Sequence, residues 1–295
     1  EARALRALGV SAPVMLLEGP FDAAELAEAG DLTLELVIHS LWQVDLLEAA
    51  PQPVRVWLKL DTGMHRVGLP PDDVDPALAR LQALPGVQLA GLMTHFACAD
   101  EPRDTLTATQ RARLVDIATR HGLPWTAANS AALCRYPDTH GALVRPGIML
   151  YGGSPLGGVL AADVGLAVTQ RLSARLIAIN PVPRGDGVGY GASWVAERDS
   201  RIGVVAIGYG DGYPRHAPAG TPVAVNGQRT SLAGRVSMDM LTIDLTDLPQ
   251  VQVGDEVELW GDTVPVDEVA KACGTISYEL FCQITARVAR RVENG

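Results

Sequence analysis

Through its first half the chain alternates short apolar runs with amphipathic helical stretches, and no other feature constrains its fold as much. Strand-like runs fall at residues 14–17, 34–38, 54–60, 88–95, 125–129 and 143–149. Helical patterns lie between them at 22–29, 40–49, 73–84 and 107–121, with a short one at 130–136. A connection that spends a helix between successive strands pairs those strands in parallel. Six such units in about 150 residues match the spacing of a (β/α)8 barrel, which takes ~250 residues for eight. Six strands would leave two open edges, which a barrel removes by closure. Two further βα units, ~60 residues by the same arithmetic, are therefore expected ahead of Glu1. Residues 1–8 are helix formers that begin without a methionine or a capping residue and stop at Gly9, as in a chain that starts inside a helix.

Polar residues gather where the apolar runs end. Lys59 is followed by Asp61-Thr62-Gly63-Met64-His65-Arg66, and Thr94-His95, Asn129-Ser130 and Arg145-Pro146-Gly147 repeat the pattern. A doubly wound open sheet would concentrate ligand groups at one switch point, so groups spread over four strand ends favour a barrel. A buried Arg145 needs an anionic ligand or another acceptor, and Gly147 lets backbone amides approach an anion closely; a structural ion pair beside a turn is the competing reading. Asn129 and Ser130 either donate to the same anion or cap a helix. His95 either orients its neighbours or is a satisfied structural histidine. Lys59 is the one lysine at such a strand end, and hence the candidate for a covalent link to a carbonyl group.

The pattern changes near Gly165. Runs at 172–179, 201–207, 221–225, 228–232, 240–244 and 256–260 read as short strands between Gly, Pro, Asn and Asp turns, with one late helix at 266–272. Val225-Asn226-Gly227-Gln228 is a hairpin signal. We therefore assign residues 1–165 to a partial barrel and residues 166–295 to a mainly β domain. Within the latter, Tyr190 stands between glycines in Gly187-Val188-Gly189-Tyr190-Gly191-Ala192. Such a tight backbone suits a phenol entering a cavity, or a packing or interface tyrosine. Tyr209 repeats the theme in 207–214, and 234–240 brings Met238 and Asp239 to a strand start, where an internally paired turn is the simpler reading.

A formal net charge of −10 argues against a nucleic-acid or anionic-membrane partner. No apolar run reaches the ~18–20 residues of a membrane span, and no signal peptide opens the chain, so a cytoplasmic location is expected. Cys98, Cys134, Cys273 and Cys282 lack metal-ligand spacing and read as reduced thiols, with no metal site expected.

KLDTGMHRVG, MTHFACAD, NSA, VRPGIMLYG, GVGYGASW, IGYGDGYPR and GRVSMDM occur in this order along the chain. Together they resemble the alanine racemase family across essentially all 295 residues. The resemblance implies an eight-stranded barrel joined to a β domain and a head-to-tail homodimer with shared active sites. It also implies pyridoxal 5'-phosphate as cofactor, and interconversion of L- and D-alanine through an aldimine by two bases, supplying D-alanine for peptidoglycan. Tyr190 would be the base for the L enantiomer, reaching the partner's barrel, with His95 hydrogen-bonded to it in a line leading to Arg145. Arg145 would face the pyridine nitrogen. Asn129, Ser130 and the backbone of Gly147 and Ile148 would hold the phosphate. Arg66 would lie near the cofactor's phenolic oxygen and the substrate carboxylate. Met238 and Asp239 would give substrate contacts from the partner, with Tyr209 at the entrance. Lys59 matches a structural lysine often carbamylated, a carbamate that would hold Arg66. The family's cofactor lysine lies in a segment resembling KANAYGHG, which has no counterpart here, so residues 1–295 alone are expected to be inactive. A C-terminal tyrosine of some relatives, in a segment resembling ISYRVPR, is replaced by Ala286. A broader-specificity amino-acid racemase, a barrel-type decarboxylase and a non-catalytic cofactor-binding protein are the alternatives.

Overall fold

The computed structural model describes residues 1–49, 53–103 and 105–293. The chain divides into two compact units, Glu1–Pro146 and Gly147–Gly295. In the first, helices and strands alternate as α1 (Ala2–Ala7), β1 (Val14–Leu16), α2 (Ala23–Asp31), β2 (Leu34–Ile38), α3 (Leu41–Glu48) and β3 (Val54–Lys59), then α4 (Pro71–Ala83), β4 (Val87–Met93), α5 (Leu106–His121), β5 (Trp125–Thr126) and α6 (Ser130–Arg135). The five strands pair in parallel in the order β1-β2-β3-β4-β5. Each strand joins the same advancing edge. With right-handed crossovers, that order puts the helices on one face and leaves no switch point, as in a barrel wall.

Local chemistry places these elements. Asp22 caps α2 by accepting the Glu25 amide at 2.8 Å, and Gly122 ends α5 in the left-handed region at φ 62°. Leu36, Val37, Ile38, Val56 and Leu58 are fully buried, the continuous apolar run expected of strands covered on both faces. Val37, Trp57, Ala90 and Met93 pack together with Met15, while α2 packs on β2, and α4 and α5 on β4. A bulge at Ala90 shifts the β3–β4 register. Next to it, Gly91 has φ 156°, and a Cβ there would sit 2.4 Å from the Pro124 carbonyl oxygen and 2.7 Å from the Trp57 ring. Only glycine fits that approach.

The run at 143–149, read as a sixth strand, is not one. Leu143 makes a single parallel bridge to Thr126, and Ile148–Tyr151 is a 3-10 turn. Pro146 has no amide to donate, and Gly147, at ψ −96°, turns the chain out of extension. The fifth run likewise stops at Thr126, because Asn129 is the N-cap of α6, accepting the Ala132 amide at 3.0 Å.

The second unit contains β6 (Leu172–Val182), β7 (Gly187–Val188), β8 (Trp194–Val195), β9 (Ser200–Val205), β10 (Pro222–Val225), β11 (Gln228–Ser231), β12 (Leu241–Asp244) and β13 (Glu256–Trp260), then α7 (Val266–Ala272) and α8 (Ser277–Gln283). Six strands form one antiparallel sheet, β11-β10-β13-β6-β9-β12, and β7 and β8 pair separately. The β10–β11 hairpin turns through Asn226 and Gly227 at φ 51° and 75°, the type I′ geometry its sequence favours. Trp260, buried at the core, stacks on Tyr213 at 6.2 Å and meets Phe281 edge-on at 6.3 Å. The unit boundary lies at 146/147, against 165/166 from sequence patterning. Part of the intervening segment is tied to α7, since the amides of Ser154 and Ala161 donate to the Asp267 carboxylate at 3.0 and 3.1 Å. Among the described residues no helix is long and apolar enough to cross a membrane, and no disulfide joins any of the four cysteines.

Candidate active site

The C-terminal ends of β2 to β5 bring His39, Lys59, His95 and Asn129-Ser130 to one edge of the sheet, and Arg145 returns to the same edge. The Arg145 amide donates to the Ala128 carbonyl at 2.9 Å. Its Nη1 donates to Thr126 Oγ1 at 2.5 Å, and its Nη2 donates to the carbonyls of Thr94 at 2.7 Å and Ala127 at 3.0 Å. Among the described residues Nε alone of the three guanidinium nitrogens has no acceptor. Burial pushes Arg145 down to about 10, so it stays cationic at neutral pH. Among the described residues no structural ion pair forms at Arg145: its side-chain partners there are two carbonyls and a hydroxyl.

Lys59 is half-buried. Burial first, then the neighbouring Arg66 and Arg145, push its ammonium below the usual lysine range, against Glu18 and Asp61. Neither Lys59 nor Arg66 has a side-chain hydrogen bond or ion pair among the described residues. Three cations thus lie close together with no carboxylate ion pair among the described residues; Arg66 is exposed, but Lys59 and Arg145 are partly removed from water, which is costly unless an anion joins them. His95 shares the field. Burial, with Arg145, Arg66 and Lys59, holds it down to about 4, neutral at pH 7.

That shift has a sign. A histidine depressed in the fold stabilises the protein fully above its unfolded value near 6.5, and the contribution is lost as pH falls toward 4. Melting temperature of the cofactor-free protein should therefore drop between pH 6.5 and 4, and less steeply in a His95→Asn variant. Equal slopes in both proteins would contradict the placement of His95 among these cations.

The turn after β3 is built around Asp61. Its Oδ1 accepts the amides of Gly63, Met64 and His65 at 3.0, 3.1 and 3.0 Å. Burial pushes Asp61 up, but those amides and the His65 ring outweigh it and hold the carboxyl below its usual range. Gly68 closes the turn at φ 148°, where a Cβ would collide with the Asp61 amide nitrogen at 2.5 Å. Two residues missing from the sequence-based site belong here. His39 donates through Nε2 to the Glu18 carbonyl at 3.1 Å and accepts at Nδ1 from the Ser40 hydroxyl at 2.7 Å. Burial, and Lys59 nearby, keep its pKa low. The rule that found Lys59, a polar residue directly after an apolar run, points to His39 as well. Gln110, within α5, carries no such signal.

In the second unit Tyr190 is 68% exposed, in a turn where Gly189, Gly191 and Ala192 have φ of 70°, 73° and 46°. A Cβ on Gly191 would press on the Arg235 guanidinium at 3.2 Å. Tyr209 and Met238 are brought side by side by backbone pairing: the Tyr209 amide donates to the Ser237 carbonyl at 3.0 Å and the Gly210 amide to the Met238 carbonyl at 2.8 Å. Asp239 pairs with Arg287 at 2.6 Å, and Arg287 reaches Asp211 at 3.4 Å. Tyr209 at 40% and Met238 at 54% are also exposed. Gly147 and Ile148 open the second unit, with Gly147 preceding the 3-10 turn. Ala286 lies in the segment after α8.

A barrel-type parallel sheet whose strand ends gather cations with no ion-pair partner among the described residues is the arrangement of an α/β enzyme for an anionic ligand. Residues 1–155 match the family model described as alanine racemase, N-terminal domain, and residues 169–292 match alanine racemase, C-terminal domain. An alanine racemase of Alcanivorax borkumensis is 59% identical over 292 residues, spanning 99% of this chain and 82% of the relative. The crystal structure of the biosynthetic alanine racemase from Pseudomonas aeruginosa, 52% identical, has a TM-score of 0.94 over 99% of this chain and 82% of that one. The alanine racemase of Bacillus anthracis with bound L-Ala-P, 30% identical, has a TM-score of 0.82 over 97% of this chain and 77% of that one. The chain belongs to the alanine racemase family.

Proposed function

We propose that the protein interconverts L- and D-alanine with pyridoxal 5'-phosphate, as a homodimer, and supplies D-alanine for the cell wall. The observation that carries this reading is the set of cations Lys59, Arg66 and Arg145, without carboxylate ion pairs among the described residues, in a chain 59% identical to a named alanine racemase. The residues fit the cofactor. Arg145 keeps its Nε for a ring-nitrogen acceptor, and Ser130, buried beside the capping Asn129, offers a hydroxyl to a phosphate. Gly147 and Ile148 contribute backbone amides to the same phosphate in this reading. When bound, the cofactor supplies the electron sink that acidifies the α-hydrogen of an amino acid.

The protein's residues direct that acidity. Tyr190 exchanges the α-proton on one face of the substrate from the partner's side, and its exposure in a single chain agrees with a role completed by a second copy. His95, neutral at pH 7, can accept a hydrogen bond from the phenol. Arg145 cannot readily release a proton to the ring nitrogen, which keeps the electron sink weak and discourages transamination. Arg66 binds the substrate carboxylate. Met238 and Asp239 bound the substrate from the partner, with Tyr209 at the entrance. Lys59, pushed toward its neutral amine, is suited to add its nitrogen to the carbon of carbon dioxide with release of one proton to solvent, and the resulting carbamate anion would hold Arg66 by a charge-assisted hydrogen bond. A decarboxylase of this architecture would set an acid against the ring nitrogen, and among the described residues no carboxylate pairs with Arg145.

The lysines of these 295 residues are Lys59 and Lys271, and neither lies in a segment like the family's cofactor lysine. In this reading the second base is that lysine, so residues 1–295 alone do not racemise alanine. The product of the complete gene, saturated with cofactor, should convert L-alanine to D-alanine in a coupled assay, faster than it converts serine or lysine, and should lose activity in carbonate-free buffer. No D-alanine would overturn the function. Equal rates on serine would favour the broader racemase. Activity from residues 1–295 alone would overturn the assignment of the lysine.

A further inference from the structure

Helix α5 braces the site from behind. Gln110 is completely buried in it. Its Oε1 accepts the Ala97 amide at 3.0 Å, and its Nε2 donates to the His95 carbonyl at 2.9 Å and to Thr62 Oγ1 at 3.3 Å. The hydroxyls of Thr62 and Thr94 are 2.6 Å apart, and Thr94 donates its proton to the Leu60 carbonyl at 3.0 Å. A hydroxyl has one proton, so Thr62 must donate to Thr94 and accept from Gln110. The relay therefore runs in one direction, from Gln110 through Thr62 and Thr94 to Leu60. The Ala97 amide fixes the orientation of the Gln110 side chain as well.

The same helix grips the turn after β3 directly. Arg113 Nη1 donates to the Thr62 carbonyl at 2.7 Å. Gly63 passes so close that a Cβ would lie 3.2 Å from Leu106, 3.5 Å from the Arg113 guanidinium and 3.6 Å from Gln110. Thr94 ties the relay to the cofactor side, because its carbonyl accepts from Arg145.

We propose that Gln110 is a positioning residue for racemisation: by bridging Thr62 and His95 it sets the spacing between the turn that carries Arg66 and the strand end that carries His95. The inference rests on the roles proposed above for those two residues. Gln110 itself acts only through them. Without its amide, the Ala97 amide, the His95 carbonyl and the Thr62 hydroxyl each lose a buried partner, and the two loops relax independently. A misplacement of about 1 Å costs on the order of 10²-fold in a reaction that depends on alignment.

The test uses the holoenzyme, assayed well below its melting transition, with cofactor content checked by absorbance. Gln110→Met keeps the volume and removes the hydrogen bonds; Thr62→Val breaks one link. Gln110→Met should lower kcat about 10–100-fold with KM for L-alanine within about threefold, because alignment of the proton-transfer groups matters in the transition state. Thr62→Val should lower kcat less, and the double variant should be no slower than Gln110→Met alone, as expected of residues in one relay. Wild-type kcat in a folded Gln110→Met holoenzyme, with only a lower melting temperature, would overturn the proposal. Should that variant not fold, Thr62→Val decides: reduced kcat at unchanged KM supports the relay, and wild-type kcat overturns it. Arg66→Lys and His95→Asn run in parallel. If they are impaired and Gln110→Met is not, this inference alone fails; if they keep full activity, the site roles on which it rests fail too.

Discussion

Replacing Tyr190 with phenylalanine is expected to lower alanine racemisation by at least ~10²–10⁴-fold, the contribution of the positioned acid–base group proposed for it. The ring and most of its volume remain, and only the hydroxyl is lost. Because Tyr190 is 68% exposed in the single chain, the change should alter the stability of the individual subunit fold by no more than about 0.5 kcal/mol, so activity and subunit folding separate cleanly. Turnover must fall in both directions, since the equilibrium constant between the enantiomers does not depend on the catalyst. Cofactor absorbance should be nearly unchanged. Coupled assays starting from each enantiomer, beside a denaturation curve, check all three points. Near-normal racemisation would make Tyr190 a packing or interface residue.

Arg145→Leu is expected to be the most damaging single change for the first unit. Its guanidinium satisfies Thr126, Thr94 and Ala127 together, at the ends of β4 and β5. Leucine leaves those acceptors without their donor, at a cost of about 2–4 kcal/mol from incompletely satisfied buried groups. It also removes the cation proposed to face the cofactor ring, so racemase activity should become undetectable and bound cofactor should be lost on dialysis. Denaturant unfolding of the cofactor-free variant reads the first effect and absorbance after dialysis the second. A variant with wild-type stability that also retains cofactor would contradict the position assigned to Arg145.

Much of this site was legible because a polar residue ending an apolar run is a local signal. Lys59, His95 and the Asn129-Ser130 pair were found that way, and His39 answers to the same rule. The run at 143–149 was misread because its apolar residues mimic a strand, whereas Pro146 and the Gly147 turn decide the conformation. Helix α8 was missed because Ser277–Gln283 is short and packs through scattered residues, Leu280 and Phe281 among them. The mutual approach of Lys59, Arg66 and Arg145 is a tertiary property, invisible in the order of residues. So is the burial of Gln110, which sits beside Arg111 on a helix with nothing in its pattern to mark it. The roles of Tyr190, Met238 and Asp239 came from family resemblance, since glycines around a tyrosine define a turn and not a reaction.

In the proposed reaction protons move on two sides of the substrate, with Tyr190 serving one of them. The most direct measurement is solvent deuterium exchange into alanine catalysed by the Tyr190→Phe holoenzyme. Deuterium should enter the α position of D-alanine at a rate far above the residual racemisation, while L-alanine stays almost unlabelled. Labelling of both enantiomers at wild-type rates, or labelling of L-alanine alone, would contradict it.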